Sequence, residues 1–180
     1  FRGTRQATVL FQPGTTATLE MPDGTTTVLP AGEIHVRATE YTVGPDGRAA
    51  MPASLPPSTA YTYAAELTAD EALAAGARSV LFNPPVVAYL ENFLGFPPAE
   101  NIPSGSYRAD AGLWEVAASG RVVEIPSITN GVADLNIDGD PAADPPAELA
   151  ALGIGVEERE RLAEMYAPGQ TLWRVPVAHF

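Results

Sequence analysis

Thr15-Thr16-Ala17-Thr18-Leu19-Glu20-Met21-Pro22-Asp23-Gly24-Thr25-Thr26-Thr27-Val28-Leu29 is the stretch that decides the fold. Two runs suited to extended chain flank Pro22-Asp23-Gly24, and Gly24 can supply the positive φ that a tight turn requires. A hairpin of residues 15–21 and 25–29 is therefore expected. Upstream, residues 6–11 form another expected strand, set off by Gln12-Pro13-Gly14.

Working outward, Glu33-Ile34-His35-Val36-Arg37-Ala38-Thr39 alternates polar and apolar. This puts Ile34 and Val36 on one face and His35 and Arg37 on the other. Residues 60–67 read as a strand, and Thr68-Ala69-Asp70-Glu71 as a capping box opening a brief helix that ends near Gly76. Strands resume at 79–82 and 86–91, then at 112–116 and 121–125, with the last two expected to pair across Ala118-Ser119-Gly120. Residues 156–166 are helical in pattern, with Leu162, Met165 and Tyr166 on one side and the Glu157–Arg161 run expected in solvent. Ala167-Pro168-Gly169 ends that helix, and a terminal strand begins. Many short strands with few helices predict an all-β fold, mainly an antiparallel β-sandwich, with a short helical insertion near 145–166.

Composition narrows the function. The 180 residues suit one domain with a real core, and 18 Pro with 16 Gly suit strands joined by tight turns. A net charge of −12 argues against a nucleic-acid partner, because phosphate contact needs clustered cations. It fits a secreted or salt-tolerant protein and does not by itself choose a compartment. With no Cys and only 2 His, disulfide scaffolds, Cys-ligated zinc, cysteine catalysis and multi-His metal sites drop out. Apolar runs break at Pro or Gly well short of the roughly 20 residues of a membrane span. Trp114 and Trp173 lie in expected strands and are assigned to core packing rather than to sugar stacking.

The two ends carry further expectations. Phe1-Arg2-Gly3-Thr4-Arg5-Gln6 has neither an initiator Met nor a signal-peptide hydrophobic region, which predicts a start inside a longer precursor. Thr171-Leu172-Trp173-Arg174-Val175-Pro176-Val177-Ala178-His179-Phe180 reads as a strand without a turn or cap to finish it. Its His179-Phe180 end resembles the left-hand product of a self-cleaving His-Phe/Ser site, as in an autoproteolytic nucleoporin domain and in ZU-5/UPA-type β-sandwiches. Phe82-Asn83-Pro84-Pro85-Val86 and Gly105-Ser106-Tyr107-Arg108, leading to Gly112-Leu113-Trp114, more distantly resemble the ZU-5 pattern.

Several segments also resemble the region upstream of the repeats in large secreted bacterial RHS/YD-repeat proteins. They are His35-Val36-Arg37-Ala38-Thr39-Glu40-Tyr41-Thr42-Val43-Gly44-Pro45, Met51 to Pro57, Ala60-Tyr61-Thr62-Tyr63, Glu91-Asn92-Phe93-Leu94-Gly95-Phe96, and the stretch from Tyr166 to Pro176. The resemblance implies a chain that continues past Phe180 with Ser or Thr. Residues 1–180 would then be the N-terminal fragment of a precursor, held noncovalently to its C-terminal remainder.

The chemistry so implied needs few parts. The hydroxyl after Phe180 attacks the Phe180 carbonyl, and the resulting ester is hydrolysed by water. A hydroxyl needs a base, and His suits the task near neutral pH. His179 adjoins the bond. His35 is the rival, with Glu33 on its strand face and Glu40 further along to orient or charge it. A distinct constellation, Asp134-Leu135-Asn136-Ile137-Asp138-Gly139-Asp140 with Asp144 beyond, has the D-x-N-x-D-G core of a calcium loop, although Pro145 stands where a bidentate Glu belongs. Calcium binding and a solvated acidic loop both remain open. An alternative function follows from it: a calcium-stabilised adhesion or carbohydrate-binding β-module without chemistry.

Overall fold

A computed structural model describes residues 6–30, 32, 34–41, 46, 49–54 and 62–180. Its elements are β1 (Ala7–Leu10), β2 (Thr16–Glu20), β3 (Thr26–Val28), β4 (Val36–Glu40), β5 (Ala65–Ala69), α1 (Asp70–Ala75), β6 (Ser79–Glu91) and β7 (Asn101–Ile102). They continue with β8 (Gly105–Arg108), β9 (Leu113–Val116), β10 (Gly120–Thr129), β11 (Val132–Asn136), α2 (Pro146–Ala151), α3 (Val156–Met165) and β12 (Thr171–His179). The fold is all-β and antiparallel, and α2 and α3 form the helical insertion expected near 145–166.

Eight strands share one sheet, in the order β11-β10-β12-β6-β2-β3, with β1 added to β6 and β7 to β10. The strand pairs β4–β5 and β8–β9 stand apart from it. The opening hairpin forms as expected: β2 pairs β3 and Gly24 takes φ 84°. At the centre, β6 pairs β2 and β1 along one edge and β12 along the other.

Strand β6 runs unbroken through residues expected to separate two strands, Asn83-Pro84-Pro85. The prolines have no N–H to give the ladder. The β6–β12 register accordingly shifts between Val177, opposite Val86, and His179, opposite Leu81. A bulge absorbs the prolines without ending the strand.

Strand β10 also corrects an expectation. Its hairpin partner is β11, not residues 112–116, and β9 pairs with β8. The connection is Asn130-Gly131, with φ 53° and 80°, the two positive angles a two-residue hairpin turn needs. The capping box is not formed either. Ala69 occupies the N-cap of α1 without a side-chain bond, Thr68 lies within β5, and Glu71 turns to His35. The helix does end at Gly76, in the left-handed conformation. Of the strand expected over 60–67, residues 60 and 61 lie outside the described residues.

Alternation along the central strands sorts the core onto the two faces. Val87 and Tyr89 of β6, Val123 and Ile125 of β10 and Leu172 of β12 pack under Leu149 of α2 and Leu162 of α3. Leu90, Val122 and Trp173 gather on the other face, where Trp173 stacks on Phe96 at 5.7 Å and its indole N–H reaches Asn92 Oδ1 at 2.7 Å. Trp173 is thus core, as expected, and half-buried Trp114 packs on Tyr107 with ring centroids 5.5 Å apart. A third cluster joins Leu19, Val80, Phe82 and Val86 with Phe180.

Candidate functional site

The end of β12 is built by the start of β6. Phe180 N–H donates to the Val80 carbonyl at 3.0 Å, and Val80 N–H donates to the Phe180 carbonyl oxygen at 3.1 Å. The Phe180 ring is seated against Phe82, with centroids 4.7 Å apart, and faces Phe11 at 6.5 Å. Because neighbours in a strand alternate, Phe180 turns into the apolar cluster while exposed His179 turns to the opposite side.

There His179 lines a cavity of about 240 Å³ with Leu81, Ser79, Ser106 and a run of charges. Arg78 is clamped by Glu20 and lies 3.4 Å from Asp110, while Arg108 reaches Asp110 at 3.2 Å and Glu115 at 2.9 Å. Ser79 Oγ donates to Glu20 at 3.0 Å. The Phe180 carbonyl oxygen thus accepts one N–H, and the neighbouring His179 imidazole lines a cavity that also holds charged side chains.

The rival His35 belongs to another arrangement. Its Nδ1 lies 2.7 Å from Glu71 Oε1, and its backbone N–H donates to the same carboxylate at 3.1 Å. The His35 bond holds the Glu71 carboxyl below its ordinary value, with backbone donors adding to it. A carboxylate bound to the ring thus comes from α1, from a residue other than Glu33 and Glu40. Glu33 lies outside the described residues, and Glu40 ends β4 opposite Ala65. His35 is absent from the described lining of the His179 cavity.

The acidic loop divides in two. Asp134 accepts from Ser127 Oγ and Thr129 Oγ1, both at 2.7 Å, and pairs with Arg159 at 3.3 Å. Those two hydroxyls and then the Arg159 charge hold its carboxyl below the ordinary range. Asn136 is buried, donating to Glu124 at 3.0 Å and accepting from Gly139 N–H at 2.9 Å. Asp140 is exposed, and its N–H caps Asp138 at 2.8 Å. Asp138 and Asp144 come together with Glu148, each offering a carboxylate oxygen within 4.8 Å of the others, so these three could hold a metal ion. Glu148, on α2, escaped the sequence reading because the missing position-twelve ligand arrives three residues late, on a helix.

A second group went unread. Glu158, expected in solvent, is buried: it pairs with Arg174 Nε at 2.8 Å and accepts from Tyr89 Oη at 2.6 Å. Burial, with the Glu158 charge, pushes the Tyr89 hydroxyl well above its usual range. Burial alone would lower the Arg174 guanidinium, but the Glu158 bond and neighbouring charge outweigh it and carry it upward. The available signal was spacing, since Glu158 sits four residues before Leu162 on the inward face of α3.

Comparison of the chain with protein-family models, with curated proteins and with solved structures found no match.

Proposed function

We propose that the chain is an autoprocessing structural domain of a large secreted RHS-repeat-type protein, cut after Phe180 by the hydroxyl of a following Ser or Thr, with the products staying associated. The observation that carries this reading is the Val80 N–H held 3.1 Å from the Phe180 carbonyl oxygen. A donor aimed at that oxygen is what a developing oxyanion requires. His179 is the assigned base, exposed and adjacent to the bond, and the aromatic seat of Phe180 fixes the carbonyl during attack. Attack forms the Phe180 ester and releases the amine of the next residue, and water then returns the hydroxyl and leaves a carboxylate.

The test is a chain carried past Phe180. Two bands are expected on a denaturing gel, and one intact band when the following hydroxyl residue is replaced by Ala. His179→Ala should slow cutting by about a hundredfold or more, whereas His35→Ala should leave it unchanged. An intact mass showing the peptide bond uncut in freshly folded wild-type chain would refute the reading.

A second reading rests on the Asp138–Asp144–Glu148 cluster: a calcium-stabilised adhesion β-module. Calcium takes several carboxylate oxygens at about 2.3–2.6 Å, and binding to the folded state alone raises the melting temperature. Added calcium should raise the Tm of the wild type and not of Glu148→Gln. No heat on titration and a Tm indifferent to chelation would remove calcium from the account.

A further inference from the structure

We infer that the cavity on the helix-bearing face of the sheet binds a small organic carboxylate. It encloses about 380 Å³, within the roughly 300–1,000 Å³ typical of ligand pockets and near the lower end. Its walls divide by chemistry. Pro84, Pro85, Val87, Leu152 and Pro176 supply apolar surface, while Arg121 and Arg174 supply positive charge, and among the described residues no carboxylate side chain lines it.

The charge is built by strand register. Arg121 of β10 stands opposite Arg174 of β12, and on its other side opposite Asn101 of β7, so three neighbouring strands present these side chains on one face. Like charges placed directly across a ladder repel. Glu158 compensates Arg174, but among the described residues no carboxylate pairs with Arg121. Seven arginines fall among the described residues: Arg37, Arg78, Arg108, Arg159, Arg161 and Arg174 each pair with a carboxylate, and Arg121 does not. Arg121 instead donates one N–H to the Ile137 carbonyl at 2.9 Å.

In a chain of net charge −12, a guanidinium with no carboxylate partner among the described residues favours an anion in this cavity. Two guanidiniums and one carboxylate leave a single positive charge, which a monoanion balances. The guanidinium fork matches a carboxylate in two parallel bonds, and the proline and aliphatic walls suit a compact apolar body behind it. This site is separate from the Phe180 carbonyl and does not depend on the cleavage reading.

Calorimetric titration with benzoate, its uncharged isostere benzamide, and inorganic phosphate tests the proposal. Benzoate should bind saturably, with benzamide about tenfold weaker or worse for want of the charge-assisted bonds. Phosphate should also be weaker, having no apolar body to bury. Arg121→Gln should reduce benzoate affinity about tenfold. Should that variant fail to fold, Asn101→Asp decides, because it places a carboxylate of the chain's own opposite Arg121 and should displace the ligand while keeping or raising Tm. Equal binding of benzoate and benzamide, phosphate binding in preference to benzoate, an affinity unchanged by Asn101→Asp, or no saturable binding would each overturn the proposal.

Discussion

Glu158 shows what one buried charge asks of its surroundings. Both of its oxygens are engaged, Oε1 by Tyr89 and Arg174 Nε and Oε2 by Arg174 at 3.2 Å and by Gln12 at 3.2 Å. Removing one partner of such a pair leaves the other charge desolvated, which is worse than never having had the pair. Glu158→Ala should therefore lower unfolding free energy by about 3–5 kcal/mol, read as a shifted denaturant midpoint with an unchanged slope. Replacing Glu158 and Arg174 together by Leu and Met should recover much of that loss. A single variant as stable as wild type would mean that the pair contributes nothing. The sequence concealed this residue inside Glu157-Glu158-Arg159-Glu160-Arg161, where charge density outweighs the spacing that points one member inward. Arg159 was misread in the same way, since it reaches the Ala133 carbonyl at 2.7 Å.

The β10–β11 hairpin is an element whose stability is tied to one carboxylate. Asp134 of β11 sits opposite Ser127 and takes hydroxyl bonds from Ser127 and Thr129, so it bridges both strands beside the Asn130-Gly131 turn. Its folded pKa lies below the unfolded value of about 3.9, so its contribution is fully present above about pH 5 and fades as pH falls through the lower folded value. The gap in denaturant midpoint between wild type and Asp134→Asn should stay level from about pH 7 to 5 and close below about pH 4. A gap that persists unchanged at lower pH would show that the charge is not the cause. Hairpins announced by turn residues were legible when the turn was noticed, as at Pro22-Asp23-Gly24. Asn130-Gly131 carries a turn signal as plain as that of Ala118-Ser119-Gly120, and its two positive φ angles close the β10–β11 hairpin. Two prolines ordinarily end a strand, so residues 79–91 read as two strands, and only the neighbouring β12, with its shifted register, shows how they are carried through.

Across the whole molecule, the all-β class and the helical insertion were legible, because turn spacing and helical period are local properties. Pairing between distant strands was not, because nothing local in residues 79–91 names 171–180 as a partner. If cutting occurs after Phe180, β12 stays covalently within residues 1–180, and main-chain bonds and core burial of the strand that follows the cut would hold the two products together. The cut products should elute as one species on native size exclusion and separate only in denaturant. Two peaks under native conditions would contradict this association. The placement of β12 has a mechanical consequence as well. Tension applied at Phe180 along the strand axis loads the β6 ladder in shear along most of β12, and the β10 ladder over Thr171–Arg174. The same axial force on β3 or β11, each held along one edge, would load a single ladder. A pull along the strand at the His179-Phe180 end thus engages two ladders where an edge strand engages one.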